Sequence, residues 1–294
     1  MKIRDTLSRR KQGVSFEVFP PKTEDGRQSI VRLVKDLSVF DPLYVSVTYG
    51  AGGTSRDGTF LLLKLLSEQT GVSLMSHLTC IGESREAMDW TLRQLQLIGI
   101  DNILALRGDE PRSLPGFNAT RGEFEYARDF VEFIRKYRSF SIAVAVYPEG
   151  HRQSPSIDKD MEYTKRKIDA GAEAAITQMF FDNRYYYEFR ERCAKAGITI
   201  PIIPGIMPIT DCRKMVQFAS ICGSTITREI LDRLEPVQDM PEDMRKLGVE
   251  FAINQSEDLI RNGVRYLHFY TMNRQDTMLE ILTTIGPALE KKAA

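Results

Sequence analysis

Glu17, in the run SFEVFPP, is a carboxylate in an apolar setting, and that setting decides what it can do. Alternation along an extended segment puts Ser15 and Glu17 on one face and Phe16 and Val18 on the other. If the Glu17 face lines the inside of a closed sheet, a bare carboxylate there is costly unless it is ion-paired or protonated. A carboxyl group that burial keeps protonated near neutral pH can act as a general acid. A structural ion pair with a lysine or arginine suits the residue alone equally well. Arg107 and Asp109 flank Gly108 in LRGDEP. Opposite charges so close form either a surface ion pair on a turn or a site for an anionic group and a ring N–H donor.

Other groups extend the chemistry. His77, His151 and His268 are each, taken singly, more often satisfied core histidines than ligands. No His-x-His or His-Glu-x-x-His spacing joins them, so no metal is expected. The run Lys165-Arg166-Lys167 has a solvated helix face as its default reading, but Asp160, Tyr163 and Lys167 share one face and could clamp a phosphate or ribose. Gln178 precedes the aromatic stretch 180–187, which is either core packing or an apolar wall over a flat ligand. The segment YGAGGTSRDG (49–58) is glycine-rich, yet it lacks the Gly-Lys-Ser/Thr of a Walker A loop, and Ser55 takes the third glycine position of GxGxxG. It is either a flexible loop or one that brings backbone close to a ligand.

These groups need elements to hold them. Eight short apolar runs, 14–19, 43–48, 73–79, 102–107, 141–146, 174–178, 200–205 and 264–269, alternate with helical patterns. Glu17, Thr48, His77, Arg107 with Asp109, Tyr147 with His151, Gln178 and Tyr270 all fall at or just beyond their C-terminal ends. That rhythm predicts an α/β fold, a (β/α)8 TIM barrel, whose C-terminal rim holds the active site. An open doubly wound sheet also alternates strands and helices, but it needs a switch point and usually a glycine fingerprint. Helical patterns cover 26–40, 60–68, 85–98, 123–137, 159–170, 185–196 and 211–221, several ending at a glycine suited to a left-handed cap. Extra helical sequence at 227–234 and 241–262 precedes the last strand, 273–282 forms a final helix, and the charged tail 290–292 is expected to fray. No Pro- or Ser-rich linker divides residues 1–294, which read as a single domain.

Forty basic and forty acidic residues balance, which argues against a nucleic-acid or membrane binder working through bulk positive charge. Cys80, Cys193, Cys212 and Cys222 have neither CxxC nor zinc-ligand spacing and read as reduced thiols. The N-terminus is basic without an apolar h-region, and no stretch approaches the roughly 18 apolar residues of a membrane span. A cytoplasmic enzyme is expected.

Taken together, SFEVFPPK (15–22), VSVTYGAGG (45–53), HLTC (77–80), LRGD (106–109), YPEGH (147–151), KRKIDAGA (165–172), ITQMFFD (176–182), IPGIMP (203–208) and HFYTMNR (268–274) resemble the methylenetetrahydrofolate reductase family, in its bacterial, catalytic-barrel form. The resemblance runs in order from near residue 12 to near 285. It implies a flavin-binding (β/α)8 barrel that uses FAD and NAD(P)H to reduce 5,10-methylenetetrahydrofolate to 5-methyltetrahydrofolate. By the resemblance, Thr48, Tyr49, His77, Arg107, Gly108, Asp109, Tyr126, Ala127, Tyr147, His151, Asp160, Tyr163, Arg166 and Lys167 fall at FAD-holding positions. Glu17 matches the general acid that protonates N10 of the folate, and Asp109 matches a residue between flavin and pterin that tunes both. Gln178 matches a pterin contact, while Tyr186, Phe218 and Arg274 match positions near folate or nicotinamide nucleotide. Tyr163 stands where asparagine is common in bacterial members, and Met179 where phenylalanine is frequent. A homo-oligomer is the expected assembly. The competing functions are another FAD barrel oxidoreductase, such as a proline-dehydrogenase-like enzyme, and a non-catalytic folate-binding protein. The first should lack the trio Glu17, Asp109 and Gln178; the second would tolerate loss of Glu17.

Overall fold

The computed structural model describes residues 1–49, 56–109 and 122–291, so most of the glycine-rich segment 49–58 and the end of the tail 290–292 lie outside the described residues. The expected rhythm is present: β1 (Gly13–Val18), β2 (Val45–Val47), β3 (Leu74–Thr79), β4 (Asn102–Leu106), β5 (Ser141–Val146), β6 (Ala174–Thr177), β7 (Ile202–Ile203), β8 (Gly205–Ile206) and β9 (Tyr266–Tyr270). All pair in parallel, in the order β7-β6-β5-β4-β3-β2-β1-β9-β8. The helices are α1 (Ile3–Arg9), α2 (Glu24–Leu37), α3 (Arg56–Gln69), α4 (Arg85–Leu97), α5 (Ala127–Arg135), α6 (Ile157–Asp169), α7 (Asn183–Lys195), α8 (Cys212–Cys222), α9 (Arg228–Leu234), α10 (Pro241–Arg261) and α11 (Gln275–Lys291). Side-chain caps at Thr23, Ser84, Ser156, Asp182 and Asp211 start α2, α4, α6, α7 and α8 by accepting an orphan backbone N–H.

The seventh strand departs from expectation. Instead of one run over 200–205, it splits around Pro204, which has no N–H to donate to a ladder. Ile202 and Ile203 pair with β6, while Gly205 and Ile206 pair with β9. The two halves together close the barrel, helped by the Pro204 carbonyl, which accepts from His268 N at 2.9 Å.

Parallel strands covered on both faces read as near-continuous apolar runs, and the two faces here feed separate cores. Phe16, Val45, Val47, Leu78, Ile103, Val144 and Phe269 face outward into the main core under the helices. Tyr44, Met75, Leu104, Ala143, Ala174, Ile203 and Tyr266 face inward and fill the lower barrel. Ile3 and Leu7 of α1 join that inner core and plug the bottom. Two apolar residues in seven give too short a period to announce this helix in the sequence. Asn102 pins it, accepting from Ile3 N at 2.7 Å and donating to the Leu74 carbonyl at 2.9 Å. A third core, built on Met179, Met207, Met215 and Met244, sits where α8, α9 and α10 cover the rim. α9 and α10 are the extra helices expected before the last strand.

Candidate functional site

Ser15 and Glu17 do face the barrel interior, as the alternation in β1 requires. Glu17 is 6% exposed and lies between two imidazoles: His268 Nε2 and His77 Nε2 are each 3.4 Å from its Oε2. The His77 approach has no hydrogen-bond alignment. Burial lowers the His77 pKa, outweighing the opposing pull of Glu17, so this ring is neutral near pH 7. Tyr44 stacks on His268 with ring centroids 5.7 Å apart, and Tyr270 meets its edge at 5.5 Å. Burial first, and then the Glu17 carboxyl, pushes the Tyr270 phenol pKa well up, so it stays protonated.

Ser15 gives this cluster two settings. Its Oγ is 2.9 Å from His268 Nδ1 and 3.2 Å from the Leu267 carbonyl, and it has one proton to give. When Ser15 donates to Leu267, Nδ1–H donates to Ser15, leaving a bare Nε2 that can accept from a protonated Glu17. When Ser15 donates to Nδ1, the ring is in the other tautomer, with its N–H on Nε2 facing a Glu17 carboxylate. Ser15 can therefore hydrogen-bond either neutral tautomer of His268, one suited to a protonated Glu17 and the other to its carboxylate.

The rim around this cluster carries aromatic rings and charges of both signs. Lys167, on the inner side of α6, donates from Nζ to the Ala145 carbonyl at 2.6 Å and lies 5.7 Å from the Tyr147 ring centre. Burial lowers its pKa to about 8, against the opposing charge of Asp160. Asp160 is 5% exposed and accepts from Ser154 Oγ at 2.8 Å. His151 packs edge-on to Tyr147 at 4.6 Å, and its Nδ1 accepts from Gln153 N, so the neutral ring carries its N–H on Nε2. Gln153 in turn accepts from Arg107 Nη1 at 2.9 Å. The Asp109 carboxylate is exposed and acts on Tyr147, His151 and Cys222; burial first and Asp109 next raise the Cys222 thiol to about 11. Gly108 holds the turn between Arg107 and Asp109 at φ +88°, with space for no side chain: a Cβ would lie 2.9 Å from Thr79 Cβ and 3.0 Å from Ile81 Cγ2. Gly108→Ala is expected to cost about 1–2 kcal/mol from the left-handed backbone alone, read as a lowered urea midpoint. An unchanged midpoint would contradict the geometry.

The charge run resolves into two roles. Lys165 pairs with Asp169 and Arg166 with Glu162 on the solvated face, whereas Lys167 turns inward. Tyr163 stacks on Tyr126, the residue before α5, with centroids 6.1 Å apart, and Ala127 begins that helix. Thr48 follows β2, and its carbonyl accepts from Thr59 Oγ1 at 2.8 Å. Gln178 follows β6 and folds its Oε1 back onto Met179 N at 2.9 Å. Phe218, on α8, is half-buried against the methionine-rich core, and Arg274 is exposed beyond β9. Besides Arg166, Tyr186 and Tyr49 stand apart from the rim cluster. Tyr186 is 2% exposed in the outer core, stacked on Phe180, with its hydroxyl donating to the Ile202 carbonyl at 3.0 Å, which gives it a packing position. Tyr49 also packs against the outer core. Conversely, His268, Ser15 and Tyr44 join Glu17, and Cys222 joins Tyr147 and Gln178 around a small hollow.

The donor set fits a dinucleotide with two phosphates. Lys167, Arg107 and the His151 Nε2–H offer positive charge and hydrogen bonds, and the Tyr126–Tyr163 pair offers stacking. Among the described residues no group of three His, Cys, Asp or Glu could hold a metal ion. No helix of the described residues is long and apolar enough to cross a membrane.

Comparison with known proteins places the chain in a family. The family model described as methylenetetrahydrofolate reductase matches residues 2–286. The 5,10-methylenetetrahydrofolate reductase of Escherichia coli (strain K12) is 39% identical over 274 residues, 93% of this chain and 90% of that protein. Methylenetetrahydrofolate reductase (NADH) 1 of Arabidopsis thaliana is 35% identical over 302 residues, 99% of this chain and 51% of that protein, so the chain spans about half the length of its plant relative. Among solved structures, an uncharacterized protein from Clostridium thermocellum that binds two copies of 5-methyl-5,6,7,8-tetrahydrofolic acid shares the fold, with a TM-score of 0.66 at 15% identity over 99% of each chain. Because the match runs from the bottom plug through every barrel strand, including the segments that bring Glu17, His77 and His268 together, the chain belongs to the methylenetetrahydrofolate reductase family.

Proposed function

We propose that this chain reduces 5,10-methylenetetrahydrofolate to 5-methyltetrahydrofolate with NAD(P)H, through FAD held at the barrel rim. The observation that carries the reading is Glu17: a buried carboxyl inside the barrel, between two histidines. FAD held at that rim would supply hydride transfer between the nicotinamide and the folate methylene carbon. The methylene carbon is unreactive while it bridges N5 and N10, and protonation at N10 opens the ring to an iminium. Glu17 holds that proton on the bare His268 Nε2 side and releases it to N10. The His268 tautomer with its N–H on Nε2, to which Ser15 donates, suits the carboxylate left behind. Asp109, exposed at the mouth, offers its oxygens to the pterin and opposes the positive charge of the iminium. Gln178, released from Met179 N, has an amide that can pair with a pterin edge. Lys167, Arg107 and His151 take the phosphates, while Tyr126 and Tyr163 supply flat surfaces for a base.

Flavin retention tests this assignment without turnover. Lys167→Ala is expected to weaken FAD binding by roughly 10- to 100-fold, the worth of about 1.5–3 kcal/mol for a charge-assisted contact. The purified protein should be yellow, the variant should lose its colour on dilution, and added FAD should restore it. The pH dependence has a definite sign. In the folded chain Lys167 is cationic below its pKa of about 8 and neutral above it, so FAD affinity should fall as pH rises through about 8. A bound anion moves this inflection upward. Lys167→Met should abolish the inflection; a native protein with FAD affinity flat from pH 7 to 10 would remove Lys167 from the phosphate site.

A further inference from the structure

A cavity of about 270 Å³ lies outside the barrel, between α3, α4 and the outer face of β3. It is separate from the Glu17 cluster: Ser76 and Leu78 of β3 line it, while His77 between them points the other way, into the barrel. Its walls are Tyr49, Phe60, Leu63, Leu78 and Leu95. The polar groups at depth are already engaged, since Thr59 donates to the Thr48 carbonyl, Ser76 to the His77 carbonyl and Thr91 to the Ala87 carbonyl. The interior therefore offers a ligand almost only apolar contact. Sugars and phosphates would be stripped of water there without compensation.

The mouth is different. Trp90 stands 58% exposed at it, a costly position for the largest side chain in the protein. The half-buried Gln94 and the exposed Asp57 also line the cavity, and the Asp57 carboxylate has no ion-pair partner among the described residues. An indole face and a carboxylate both attract positive charge and repel negative charge. A cavity of about 150 Å³ holds a benzene ring, so this one has room for a ring with a short chain. We propose that the cavity binds a small arylalkylamine, the ring among the leucines and the ammonium between Asp57 and Trp90.

Trp90 is the only tryptophan in the chain, so its emission reports directly on the mouth. The experiment titrates the protein as purified with phenethylamine, phenethyl alcohol and phenylacetate, exciting the indole selectively. The amine should change the emission saturably, and the alcohol should bind about tenfold more weakly, as loss of the cation contacts predicts. Phenylacetate should bind more weakly still. Asp57→Asn should bring the amine down to the level of the alcohol and leave the alcohol unchanged. Gln94→Phe, which puts a ring in the mouth, should abolish the response to both. No saturable response to the amine overturns the proposal, as does equal binding of amine and phenylacetate or an amine affinity indifferent to Asp57→Asn. The readout requires neither flavin reduction nor folate, so it succeeds or fails independently of the proposed reaction.

Discussion

Glu17→Gln is expected to retain FAD and its reduction by NAD(P)H while lowering folate reduction by about 10²- to 10⁴-fold, the usual contribution of a positioned general acid. The substitution keeps the shape of the side chain and removes the proton. The amide still fits between His77 and His268, and its NH2 can donate to the bare Nε2, so the cluster stays packed. Only the step that needs protonation at N10 should suffer. The loss should appear in kcat as well as kcat/KM, because the proton is required in the transition state and contributes little to ground-state binding. Stopped-flow measurement of the two halves of the cycle separates these outcomes. Folate reduction at the native rate in the variant would remove Glu17 from the acid role.

The largest expected effect on stability lies in the rim helices. Gly248, in the middle of α10, packs so closely on the segment leaving β8 that a Cβ there would lie 1.6 Å from the Ile209 carbonyl oxygen. Backbone opposes backbone, and no side chain can rotate away. Gly248→Ala must push α10 off the barrel and open the core of Met207, Met215 and Met244, which should cost about 3 kcal/mol or more, at the upper end for overpacking. Gly58, on α3, is the control: a Cβ there meets nothing within 4 Å, so Gly58→Ala should stabilise by about 0.5–1 kcal/mol through helix propensity. Urea unfolding of the pair reads both. An unchanged midpoint in Gly248→Ala would mean that the helix is not seated as described.

Much of the architecture is legible in the sequence because parallel strands buried on both faces appear as uninterrupted apolar runs, and helices between them stop at glycine. Glu17 is legible for a related reason, since its neighbours Phe16 and Val18 fix which way it faces. His268 is not. Its meeting with Glu17 depends on closure of the sheet, which lays β9 beside β1 with Ser15 opposite His268 across 253 residues of sequence. The burial of Lys167 within a charged run was half legible: helical spacing puts it with Asp160, but only packing on Tyr147 distinguishes it from Lys165 and Arg166. Tyr186 sits in an aromatic stretch that suits a ligand wall or a core, and the satisfied hydroxyl places it in the core. The split at Pro204 follows from the missing N–H, a local rule that periodicity over 200–205 obscures.

The most direct measurement of the central claim is an anaerobic two-step titration of the purified protein. NADH or NADPH should bleach a yellow flavin, and 5,10-methylenetetrahydrofolate should then restore the colour with 5-methyltetrahydrofolate formed in equal amount. Protein that binds no flavin, or reduced protein that stays bleached when the folate is added, would contradict the account.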